Sequence, residues 1–237
     1  MSVTSPARGI PHGFYVAMAA FALLVVFVGF APTYYLSGQF DGPALAPLVH
    51  LHGLVFTTWM LLFGVQTTLV ATHRTHVHRR LGIVGALVAF AMVVIGIATA
   101  VASAQRGHTP LPVVPPLAFL AVPIADMVVF GVLVSTAVAM RRRADFHARL
   151  MLLATITILG PAFARIRIDA VQDNNPAAFM VLVTLTVVAC AAWDAVRRRR
   201  LHPAYLWGGL LVILSQPLRL AIARSDAWMA FARWLTA

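Results

Sequence analysis

Apolar residues run in seven long stretches along this chain, separated by short polar turns. The stretches fall at roughly 13–36, 44–71, 80–104, 112–140, 147–166, 177–196 and 203–223. Each approaches the roughly 20 residues that a helix needs to cross a bilayer. Only closed hydrogen-bonding elements survive in hydrocarbon, so the pattern predicts an all-α integral membrane bundle of seven transmembrane helices, with residues 1–237 as a single domain. The last stretch, 225–237, differs: Trp228, Phe231 and Trp234 recur at helical spacing among polar residues, which predicts an amphipathic helix in the membrane interface. The first stretch is too long for a signal-peptide core and no small-residue cleavage site follows it, so it reads as a retained helix.

Composition supports lipid as the solvent. Of 237 residues, 61% are hydrophobic and 11% charged, with a mean hydropathy of +0.87; soluble domains carry about 25% charged residues. The chain has no Lys and no Glu: its 18 basic residues are all Arg and its 7 acids all Asp. Without Lys there is no Schiff base to retinal or pyridoxal phosphate, which excludes a rhodopsin despite the helix count. The net charge of +11 does not point to nucleic acid, because the Arg residues sit in short loops between apolar runs. One side receives 12 of them (Arg8, Arg74, Arg79, Arg80, Arg141 to Arg143, Arg149, Arg197 to Arg200). The other receives 6 (Arg106, Arg165, Arg167, Arg219, Arg224, Arg233). The bias places the amino terminus in the cytoplasm and the carboxyl terminus outside, in a bacterial inner membrane. The single Cys190 lies within an apolar run and forms no internal disulfide.

A weak repeat is visible. His78-Arg79-Arg80-Leu81 and His147-Ala148-Arg149-Leu150 both read His-x-Arg-Leu at an inner helix start, and Arg200-Leu201-His202-Pro203 is a looser third instance. Related helix pairs would produce this, and so would the ordinary preference of inner helix ends for Arg and His. Gly82 with Ala86, and Gly96 with Ala100, are small-xxx-small pairs suited to close helix contact. Pro115, Pro116 and Pro123 predict a bend in the fourth helix; Pro161 and Pro217 predict bends near the outer ends of the fifth and seventh.

Ionisable groups inside a membrane are costly, so each is a functional candidate. At about 1.5 Å of rise per residue they fall into three layers. The outer layer holds His50, His52, Gln216, Arg219 and Arg165 from three helices, a donor-rich set suited to a carboxylate, propionate or quinone oxygen. Arg165 and Arg219 would equally snorkel to headgroups while the His cap carbonyls. His50 and His52 are two apart on a helix and face opposite ways, so one metal ion takes one of them. The middle layer holds Asp126, with Thr57, Thr58, Thr155 and Thr157 at similar depth. It reads either as a protonated acid bonded to a hydroxyl or as a proton carrier. The inner layer holds His78 and His147, with His73, His76 and His202 nearby. His78 and His147 could ligate haem iron, with Arg79, Arg80 and Arg149 pairing the propionates; solvated interfacial imidazoles are the plainer alternative.

Several of these segments resemble known families. His50-Leu51-His52-Gly53, Trp59, Gln66 and His78-Arg79-Arg80-Leu81-Gly82 resemble bacterial multi-pass families without a settled activity. Phe146-His147-Ala148-Arg149-Leu150-Met151 is similar to the H-x-R-L-M of a group tied to cytochrome oxidase assembly. More distantly, His-bearing helix pairs resemble the cytochrome b561 and ferric-reductase families, which implies b-type haem between His residues. Here the outer side lacks a second ligand, since His108 lies in a loop.

Together these readings lead to an expected membrane redox protein with haem b, quinone or both. His78 and His147 would be haem ligands; His52, Gln216 and Arg219 would form the outer pocket, and Asp126 a proton path. The alternatives are a proton-coupled small-molecule transporter using Asp126, a metalloenzyme acting on lipids, and a non-catalytic assembly subunit. The expected partners are the lipid bilayer and a quinone or other small lipophilic ligand, not nucleic acid.

Overall fold

A computed structural model describes residues 12–40, 44–109, 114–166 and 176–237. Arg8 and Arg167, counted in the Arg asymmetry, and the first residues of the fourth stretch, 112 and 113, lie outside the described residues. Among the described residues every regular element is helical. In chain order they are α1 (His12–Phe30), α2 (Pro47–Ala71), α3 (Thr75–Gln105), α4 (Pro116–Phe119), α5 (Ala121–Ala139), α6 (Ala144–Thr157), α7 (Gly160–Phe163), α8 (Pro176–Arg198), α9 (Leu210–Ala223) and α10 (Asp226–Thr236). α1 widens into a π turn at Ala31–Tyr35, and α9 is entered through another at Tyr205–Gly209.

Among the described residues six segments are long and apolar enough to cross a membrane: His12–Tyr35, Pro47–Ala71, Thr75–Gln105, Pro116–Ala139, Ala178–Arg198 and Tyr205–Ala223. The expected fifth span, 147–166, is the exception. α6 stops at Thr157 and α7 resumes at Gly160, so neither piece has crossing length on its own. Pro161 accounts for the stop: a proline ring collides with the carbonyl four residues back, which is Thr157. The same rule divides α4 from α5, because Phe119 stands four residues before Pro123. Pro217 lies inside α9, which continues through it to Ala223.

The broken fifth segment is the centre of the molecule. Leu152, Leu153, Ala154, Ile156, Leu159 and Ala162 are at most 1% exposed. α6 packs against α5 and α8, and α7 lies against α1 and α8. The outer helices instead present apolar side chains outward, with Leu24 61%, Ile83 68% and Phe90 72% exposed. A surface of that kind is stable against lipid rather than water. Close packing falls where small residues predict it at Gly96, whose Cβ would strike Met127 and Phe56, but not at Gly82, which has only Gln66 at the edge of contact. Gly29 lets α1 approach the Ala162 backbone of α7.

Two ends can be told apart. At the basic end the His12 and His73 rings are 6.2 Å apart, and Phe14 stacks on Trp193 at 3.8 Å. At the opposite end α10 folds against α3 and α4: Trp228 Nε1 donates to the Leu117 carbonyl at 2.9 Å, and Gln105 Nε2 to that of Thr236 at 3.2 Å. Ala232 is buried while Trp234 points outward, 72% exposed. The tail is thus the amphipathic helix that its spacing predicts.

Candidate functional site

Asp126 lies in the second turn of α5, on the face buried against α9. Its carboxylate pairs with Arg219 of α9, and both residues are buried. The Thr hydroxyls expected as its partners are used locally: Thr58, Thr155 and Thr157 each donate to the carbonyl four residues back, and Thr57 bonds Tyr35. Every nitrogen of the Arg219 guanidinium is engaged. Nε donates to the Ser215 carbonyl at 3.2 Å, Nη2 to Ser215 Oγ at 3.0 Å, and Nη1 to Asp126 and, at 3.5 Å, to the Val122 carbonyl. A buried ion pair repays its desolvation only when its remaining donors are satisfied in this way. Gln216 is next to it and donates to Thr184 Oγ1 at 3.0 Å. Between Asp126, Thr157, Gln216 and Arg219 is a cavity of ≈ 10 Å³, about the room one water needs.

The basic end holds the second cluster. α3 and α6 bring His78 and His147 together with ring centres 6.2 Å apart and planes at 79°. His147 Nδ1 lies 2.8 Å from the Ala137 carbonyl. A carbonyl only accepts, so that nitrogen carries the proton and Nε2 keeps its lone pair. His78 Nδ1 faces the Gln66 side chain. With the amide turned so that its nitrogen meets the imidazole, Nε2 donates to Nδ1 at 2.7 Å and Oε1 accepts from the Gly82 N–H at 3.1 Å. The proton of His78 is then on Nε2. The two imidazoles are therefore held as opposite tautomers by partners on α5 and α2.

Arg149 was expected at the propionates of such a site, yet it is fully buried and points elsewhere. It makes a two-point contact with Asp194 of α8, its Nε donating to Oδ2 at 3.1 Å, and its Nη1 donates to the Asp145 carbonyl at 2.7 Å. Arg79 and Arg80 alone of the three remain exposed. Nearby, His202 Nδ1 accepts from the Ala204 N–H at 3.1 Å and Nε2 donates to Asp145 Oδ2 at 3.0 Å. That is the bonding of a neutral imidazole. Burial is the main influence on His202 and pushes it below the ordinary histidine value, with Arg149 and Arg198 reinforcing and Asp145 opposing. Burial pushes the Asp145 carboxyl up, but the His202 hydrogen bond and the Phe146 amide outweigh it and hold the group below the usual carboxylate value.

The outer residues divide between two places. Gln216 and Arg219 join Asp126, whereas His50, His52 and Arg165 do not line that cavity. His50 is exposed and offers only its carbonyl, which accepts from Tyr34 Oη at 3.2 Å. His52 stacks on Phe56 with ring centres 4.0 Å apart, and its Nδ1 is buried without a hydrogen-bond partner. Trp59, two turns further on the same face, is buried and likewise has an unpartnered Nε1. Arg165 donates to the Pro161 carbonyl at 2.9 Å and lies 4.7 Å over the Phe30 ring. Sequence reasoning missed Asp194 and the tie between His202 and Asp145. Asp194 had a signal, an acid in an apolar helix, but its partner is 45 residues away.

The fold and these buried charges define an all-helical membrane protein with two buried ion pairs, Asp126–Arg219 and Arg149–Asp194. No family model, curated protein or solved structure matches the chain.

Proposed function

We propose that this is a seven-crossing protein of the bacterial cytoplasmic membrane, amino terminus inside, that transfers electrons with b-type haem at its basic end. The α6–α7 segment would complete the seventh crossing as a broken helix sheltered from lipid by its neighbours, where interrupted backbone is tolerated. The observation that carries the redox reading is the His78–His147 pair. His78 and His147, with ring centres 6.2 Å apart, would hold the haem iron between them. Ligation needs a lone pair on both Nε2 atoms. Ala137 secures that for His147; for His78 it would require the Gln66 amide to turn over, so that its oxygen rather than its nitrogen met Nδ1 and the proton moved there, giving up the hydrogen bond from the Gly82 N–H. Exposed Arg79 and Arg80 would pair with propionates. Haem supplies reversible one-electron chemistry, and the protein supplies orientation and charge around it. A quinone is the matching lipophilic partner: the unpartnered Trp59 Nε1–H is a donor for a quinone carbonyl, with His52 on the same face. A reduced-minus-oxidised spectrum of purified protein should show a haem α band that disappears in His78→Ala and in His147→Ala and persists in His50→Ala. The absence of any band, even after haem addition, overturns the reading.

A second reading, proton-coupled transport of a small molecule, is favoured by Asp126 and Arg219 flanking a water-sized cavity in the interior. An ion-paired carboxylate takes up a proton only when its cation withdraws, so this mechanism needs α5 and α9 to separate. In proteoliposomes, Asp126→Asn should abolish pH-driven flux; normal flux in that variant removes the reading.

A further inference from the structure

A groove of ≈ 270 Å³ opens at the basic end between the start of α6 and the end of α8. Arg143, Arg198 and Arg200 line it together with Asp145, Phe146 and His202. Asp145 is its single acid, and His202 already engages that carboxylate. Arg149, the next cation inward, is matched by Asp194. Among the described residues no carboxylate pairs with Arg143, Arg198 or Arg200. Arg198 Nε is in addition buried without a hydrogen-bond partner. A buried guanidinium N–H left unpaired costs free energy unless something absent from the chain accepts from it. Arg199 turns the chain at the end of α8 with φ 56°, and its neighbours on both sides line the groove.

We infer that this groove is an anion site that holds the phosphate of an anionic lipid headgroup. Guanidinium forks suit phosphate oxygens, and basic pockets between helices at the cytoplasmic face are where such headgroups bind. The surroundings favour a lipid over free phosphate. Val196, Leu201 and Trp207, adjoining in sequence, are 79%, 48% and 71% exposed, an apolar border along which acyl chains can lie. Phe146 carries the Arg143 guanidinium 4.1 Å above its ring, which aims that cation without neutralising it. The site is independent of the redox reading, since none of its residues holds the His78–His147 pair.

Native mass spectrometry of the full chain in detergent tests this, with phosphatidylglycerol or phosphatidylcholine added. The wild-type protein should retain phosphatidylglycerol in preference. Arg198→Gln with Arg200→Gln should weaken retention by about tenfold or more, at about 1 kcal/mol per Arg. Arg74→Gln with Arg142→Gln removes the same charge from exposed positions outside the groove and should retain the lipid as the wild type does. Equal loss in both double variants, or no loss in the first, overturns the site. A thermal shift with inorganic phosphate alone, dependent on Arg198 and Arg200 and unimproved by phosphatidylglycerol, overturns the lipid assignment.

Discussion

Arg149 shows how much a single buried charge depends on its partner. Fully enclosed, it is tolerated because Asp194 meets two of its nitrogens and the Asp145 carbonyl a third. Removing one partner strands the other, so Arg149→Ala should cost about 3–5 kcal/mol, whereas Arg149→Met combined with Asp194→Leu should recover most of it. Thermal unfolding of the two variants in detergent measures this, and a double variant as unstable as the single one would contradict it. His202 carries a pH dependence whose sign follows from its burial. Its folded value lies below the ordinary one, so as pH falls through about 6.5 the unfolded chain takes up a proton that the folded chain refuses, and stability drops. Asp145, also held low, adds to the loss only at more acid pH, as the folded carboxyl itself becomes protonated. The melting temperature should fall between pH 8 and pH 5 in the wild type, and the slope should flatten in His202→Gln. Neither pairing was readable beforehand: a lone Asp and a lone Arg in separate apolar runs carry no address for each other.

Helices were more legible than contacts. Apolar length alone located six crossing segments to within a few residues, because lipid demands an unbroken internal hydrogen-bond ladder. The interruption at Thr157 also had a sequence cause in Pro161, since the collision falls four residues before the proline. Gly29 and Gly96 sit where helices touch. A Cβ at Gly29 would meet the Ala162 backbone, which cannot rotate away, and one at Gly96 would meet the flexible end of Met127. Gly29→Val should therefore lower the melting temperature more than Gly96→Ala does; the reverse order would mean that α1 and α7 can slide apart.

At the level of the whole molecule the crossing count and orientation decide what each cluster faces. Cys190 is buried, so impermeant thiol reagents should ignore the native chain. In a Cys190→Ala background, Gly107→Cys should label from outside intact spheroplasts and Arg142→Cys only after permeabilisation. Labelling of both from one side would refute an odd number of crossings between them. By itself the sequence determined the apolar solvent and the helical class, because hydropathy is local and additive along a chain; it assigned Asp126 and Arg219 to different layers, yet the two pair directly. Only the tertiary structure decided the partners. Depth leaves the rotation of each helix about its axis open, and packing set that rotation, joining Asp126 to Arg219 and His78 to His147 while leaving His52 apart.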